Sequence, residues 1–120
     1  MPLSCVRVVI VDPLAGRDVV DAVRMAVEGC GCRVVVGEDI LSLVERYCLE
    51  EGCENTLVVA AGRPSVYHVW QEHGFLKVLD VTSCGSVEGV VDTVRDKCCC
   101  GGVKPENLCF VESGPGWLEL

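Results

Sequence analysis

Basic residues are scarce in this sequence. Lysine and arginine total 10 against 18 aspartates and glutamates, for a formal net charge of -8. Nucleic-acid binding requires clustered cations that neutralise phosphates, so that function class is excluded, and an anionic membrane surface is excluded on the same ground. Long apolar runs are missing too. The N-terminus reaches Arg7 and Asp12 too early to supply a signal-peptide core, and no run approaches the roughly 20 residues of a membrane span. These absences predict a soluble, cytoplasmic protein with no membrane partner.

Side-chain amides are confined to Asn55, Gln71 and Asn107. With arginine preferred over lysine and valine abundant, the composition is hyperthermophile-like. The sequence also lacks the six-position glycine fingerprint of dinucleotide binding and the lysine of a phosphate-binding P-loop. Ten cysteines are present, yet no Cys-x-x-Cys occurs. That omission argues against a zinc ribbon, a thioredoxin-type site and a ferredoxin-type cluster. No cofactor is implied.

What is present reads as one domain over residues 1–112 followed by a short tail, 113–120, whose Trp117, Leu118 and Leu120 either pack back or meet a partner subunit, as in a homodimer. Five valine-rich runs, at Val6–Val11, Arg33–Val36, Thr56–Ala61, Leu76–Val81 and Leu108–Val111, alternate with segments of helical period. Strand, helix and strand in alternation predict βαβ units, hence a three-layer αβα sandwich around a five-strand, mainly parallel sheet with a flavodoxin-like or short Rossmann-like strand order. The first and third runs are apolar at nearly every position, as strands covered on both faces must be, so they belong at the sheet centre.

The first helix stripes Val19, Val20, Val23, Val27 and Cys30. The second opens on Glu38 and Asp39 and buries Ile40, Leu43, Val44 and Tyr47. The third starts at Pro64 or Ser65 and buries Val66, Val69, Trp70 and His73, with His68 outside. The fourth starts on a Ser86 cap and aligns Val87, Val90, Val91, Val94 and Cys98.

In such a fold all strands end at one rim and all helices at the other, which sorts the loops by chemistry. Asp12 to Arg17, Gly37 to Asp39, Ala61 to Ser65, Thr82 to Ser86, and Glu112 with Ser113 fall at the strand-end rim, where open sheets bind ligands beside a topological switch point. Asp12, Arg17, Arg63, Ser65, Thr82, Ser83 and Ser86 are the candidate ligand-binding residues. The arginines and free helix N-termini suit an anionic small molecule, and a protein partner is the other occupant. Cys84 precedes a helix N-terminus, which favours a thiolate; an enzyme with Cys84 as nucleophile or redox group is the alternative. The opposite rim collects Cys5, Cys30, Cys32, Cys48, Cys53, Cys98, Cys99 and Cys100 with His73, giving a third reading as a cysteine-rich structural or metal-binding protein held by disulfides, metal or neither. No stretch carries a family signature; a phosphoacceptor receiver domain is excluded because Val59 to Gly62 offers no aspartate at the third strand's end.

Overall fold

A computed structural model describes residues 5–62, 64–99, 108–109 and 111–113. Four strands, β1 (Val8–Val11), β2 (Arg33–Val36), β3 (Thr56–Ala60) and β4 (Lys77–Asp80), pair in parallel in the order β2-β1-β3-β4. The register sets Val8 beside both Arg33 and Thr56, and Leu57 beside Lys77. Helices α1 (Arg17–Ala26), α2 (Ile40–Glu51), α3 (His68–Gly74) and α4 (Val87–Cys98) follow the strands in turn.

Alternation along the strands divides the core into two layers, because successive side chains point to opposite faces. Val9, Val11, Leu57, Val59 and Leu79 pack against Val19 and Val23 of α1 and Val90 and Val94 of α4. Val8, Ile10, Val58, Ala60 and Val78 pack against Val44 and Tyr47 of α2, with Tyr67 and Leu76. Every residue of β1 and β3 is buried, as their nearly continuous apolar character predicts.

The last strand corrects the expectation. Leu108 and Cys109 are not in a strand; β5 (Val111–Ser113) runs antiparallel to β4, pairing Leu79 with Val111 and Lys77 with Ser113. Reversal moves Glu112 and Ser113 from the strand-end rim to the start of β4. A short apolar run identifies the strand, but its direction depends on the connection after α4, which carries no periodicity to read.

Helix starts follow their signals. Asp39 Oδ1 accepts from the Ser42 amide at 3.4 Å, opening α2, and Ser86 Oγ accepts from the Gly89 amide at 3.1 Å, opening α4. Gly52, with φ of 94°, lets the chain turn out of α2 in a conformation that side chains disfavour.

The third helix departs most. Pro64–Tyr67 form a 3₁₀ turn before α3. Its three residues per turn, instead of 3.6, rotate the later side chains. Tyr67 and Gln71 therefore face the core, while Val66 is 38% and Val69 62% exposed. His73 is exposed and His68 half-buried, so the expected inner stripe of Val66, Val69 and His73 does not form; Trp70 alone of that set packs partly inward.

Gln71 is fully buried, and neither its amide nitrogen nor its oxygen has a hydrogen-bond partner among the described residues. An unsatisfied buried polar group costs about 1–3 kcal/mol. Gln71→Leu, similar in volume, should therefore raise the unfolding free energy by about 1 kcal/mol, measured by urea denaturation. Destabilisation would mean that the amide is satisfied in solution.

Candidate functional site

At the strand-end rim the chain leaves β1 for β2 on one side and later enters β3 on the other, so the loops after β1 and β3 diverge. A cleft of about 580 Å³ opens there. Asp12, Pro13 and Leu14 line it from the loop after β1, Glu38, Ile40 and Leu41 from the start of α2, and Ala61, Gly62, Val66 and Tyr67 from the chain after β3.

Local hydrogen bonds fix these walls. Asp12 donates its amide to the Val59 carbonyl at 3.0 Å, and its Oδ1 accepts from the Leu14 amide at 2.9 Å. That side-chain turn is what an aspartate before Pro-Leu favours. It leaves Leu14 84% exposed at the cleft mouth. On the other side, Asp80 Oδ1 accepts from the Gly62 amide at 2.9 Å, the Thr82 amide at 3.1 Å and the Thr82 hydroxyl at 2.8 Å. Asp80, absent from the candidates read in the sequence, thus joins the loops after β3 and β4. Its signal was an acid at a strand end followed two residues later by threonine.

Tyr67 contributes a ring that is 2% exposed. Burial first, and the neighbouring negative charge of Asp12 second, push its hydroxyl up to about 12. The folded protein therefore holds this proton more tightly than the unfolded chain, whose tyrosine titrates near 10. Stability from this group is fully present below pH 10 and lost as pH rises toward 12. The stability of the parent protein should fall relative to Tyr67→Phe across that window. Parallel curves for the two proteins would contradict the shift.

Of the candidate ligand-binding residues whose side chains are described, only Asp12 lines the cleft. Arg17 begins α1 and is exposed outside the lining; Arg63, and the side chain of Ser65, lie outside the described residues. Ser83 Oγ donates to the Asp80 carbonyl at 2.9 Å, and Ser86 is committed to capping α4. Thr82, Ser83 and Ser86 therefore organise their own loop. Cys84 forms a disulfide with Cys109, so its sulfur is not a thiolate in this state. The sequence placed Cys109 on a strand and left it without a role.

The helix-end rim does gather cysteines. Cys30 is bonded to Cys99, Cys48 to Cys53, and Cys5 is disulfide-bonded as well; Cys100 lies outside the described residues. Gly74 fits against Cys53, whose Cβ would lie 2.5 Å from any Cβ added there. His73 lines a shallow cavity of about 380 Å³ with Cys48, Cys53 and Trp70. Among the described residues no three His, Cys, Asp or Glu side chains converge as metal ligands.

Cys32 and Cys98 remain free thiols. Cys98 donates to Cys32, sulfur to sulfur at 2.9 Å, and Cys32 donates to the Val6 carbonyl at 3.7 Å. The bond from Cys98 lowers the Cys32 pKa against an opposing effect of burial. The same bond, and then burial, raise that of Cys98.

No helix among the described residues is long and apolar enough to cross a membrane. Comparison with known protein families, characterised proteins and solved structures gives no match to this chain.

Proposed function

We propose that this α/β domain is a binding module whose ligand is a small molecule seated in the strand-end cleft. The observation carrying this reading is the lining: exposed Leu14, Leu41 and Val66 around a pocket whose described charged members, Asp12 and Glu38, are both acidic. Mostly apolar walls with a few placed polar groups are what small-molecule sites use, and the volume lies in their usual range. The strand order β2-β1-β3-β4 supports a flavodoxin-like reading, in which ligands bind at the β1/β3 crevice.

The chemistry differs from the anion suggested by Arg17 and Arg63. Without an arginine in the described lining, two carboxylates favour a ligand with an apolar body and a cationic or strongly hydrogen-bond-donating group. A cysteine enzyme at this rim is disfavoured by the Cys84–Cys109 bond.

Matched probes of opposite charge, phenethylammonium and 3-phenylpropionate, test the reading in a thermal-unfolding assay. A ligand at tenfold its Kd stabilises by about 1.4 kcal/mol, roughly 5 °C for a domain of this size. The ammonium probe should give a shift of that kind and lose it in Asp12→Asn, while the carboxylate gives none. A larger shift with the carboxylate, no shift with either, or full persistence of the ammonium shift in an Asp12→Asn, Glu38→Gln double variant would each reject it.

A further inference from the structure

Far from the cleft, the helix-end rim holds two thiols that no disulfide uses. Cys32 lies immediately before β2, and Cys98 is the last residue of α4. They differ in access: Cys98 is 3% exposed, whereas Cys32 is only half-buried. They also differ in hydrogen bonding. Cys98 is the donor and Cys32 the acceptor at 2.9 Å, an arrangement that stabilises negative charge on the outer sulfur. Cys98 sits where the negative end of the α4 dipole opposes its own ionisation.

The surroundings hold this pair in place. Cys30, two residues before Cys32, is bonded to Cys99, the residue after Cys98. The Val6 amide donates to the Lys97 carbonyl at 3.0 Å, and the Val6 carbonyl accepts from Cys32. The α1–β2 turn, the start of β1 and the end of α4 are thus pinned together whether or not the two thiols are bonded.

We propose that Cys32 and Cys98 form a thiol–disulfide exchange site for small disulfides, with Cys32 the attacking sulfur and Cys98 the resolving one. The Cys32 thiolate attacks one sulfur of a disulfide RSSR; the S–S bond breaks, RS⁻ departs and takes up a proton, and a Cys32–SR mixed disulfide remains. Cys98 then gives up its proton, and its sulfur attacks that of Cys32. The Cys32–SR bond breaks and a second RS⁻ leaves with the proton. The two protein thiols lose two electrons in becoming a disulfide, and RSSR gains them in becoming two RSH. The reverse sequence lets the oxidised pair accept electrons from small thiols.

Oxidised glutathione is the probe, applied to the folded full chain with its other bridges intact. Before treatment, Cys32 and Cys98 should both be alkylated by iodoacetamide after denaturation. After treatment, both should be protected, and peptide mapping should find them joined. Cys98→Ala should trap a glutathione adduct on Cys32, while Cys32→Ala should leave Cys98 unmodified. Circular dichroism confirms that each variant is folded, with Cys98→Val as the replacement should the alanine leave a disruptive cavity. Two thiols still fully alkylatable after treatment, or absence of a trapped adduct in the folded Cys98 variant, would overturn the proposal. So would a Cys32–Cys98 bond already present that dithiothreitol cannot reduce without unfolding the chain, since that pair would be a structural cross-link. None of these results bears on the cleft, which shares no residue with this site.

Discussion

Replacing Cys30 and Cys99 together by alanine should lower the unfolding free energy by about 4 kcal/mol, the largest loss expected from removing any bridge defined at both ends here. The bridge closes a loop with a sequence separation of 69, against 25 for Cys84–Cys109 and 5 for Cys48–Cys53. On the chain-entropy model, loops of these lengths correspond to about 4, 3.5 and 2 kcal/mol. Cys30 is exposed, so little packing accompanies its loss. Stability of a domain this size is about 6–18 kcal/mol, so the change is a large part of the whole. Urea denaturation of the three double variants should return that order, with shifted midpoints. Equal costs for the long and the short loop would assign the stabilisation to native-state contacts instead. The exchange site adds a second expectation: mild oxidation should restore most of the Cys30/Cys99 loss, because Cys32 and Cys98 would close a loop of nearly equal span, 66 residues.

These disulfides show where sequence reasoning succeeds and where it stops. Sorting loops by rim brought Cys30, Cys32, Cys48, Cys53, Cys98 and Cys99 to one edge, and they lie there. The periodicity of α4 fixes where Cys98 emerges, and the parallel register fixes where Cys32 does. Pairing was not legible, because it depends on how α1 and α4 pack side by side, a tertiary relation with no local signature. Cys84 shows the same limit. A helix start beside a cysteine is visible in sequence, but the approach of Cys109 depends on the returning chain, whose direction nothing nearby encodes.

The cleft was legible in position rather than in chemistry. Alternating strands and helices predict a crevice at the strand-end rim, and Asp12 is in it. The arginines on adjacent loops suggest an anion, whereas the charged residues of the described lining are Asp12 and Glu38. Arg17 instead begins α1 and is exposed, since the turn set by Asp12 brings Leu14 to the mouth. Asp80 went unread for a related reason: its neighbours in space, Gly62 and Thr82, belong to two loops that only the β3–β4 pairing brings together.

The clearest test of the one helix whose phase the sequence misread is Tyr67→Ala, expected to cost about 3–5 kcal/mol. Tyr67 is 2% exposed and packs with the core layer that contains Val8, Ile10 and Val58, so truncating it leaves a void where β1 and β3 meet the helices. Val69→Ala, at a position 62% exposed, should change stability by no more than about 0.5 kcal/mol. A continuous α-helix from Pro64 would reverse those two results, because it would turn Val66 and Val69 inward; the 3₁₀ turn at Pro64–Tyr67 is what sets the observed order. Guanidinium denaturation of both variants decides between them. Tyr67→Phe keeps the ring and should stay within about 1 kcal/mol of the parent at neutral pH. It thereby separates the ring's part in the core from the hydroxyl's part in the cleft, and with the ammonium probe it tests whether the hydroxyl beside Asp12 contributes to binding or only the carboxylate does.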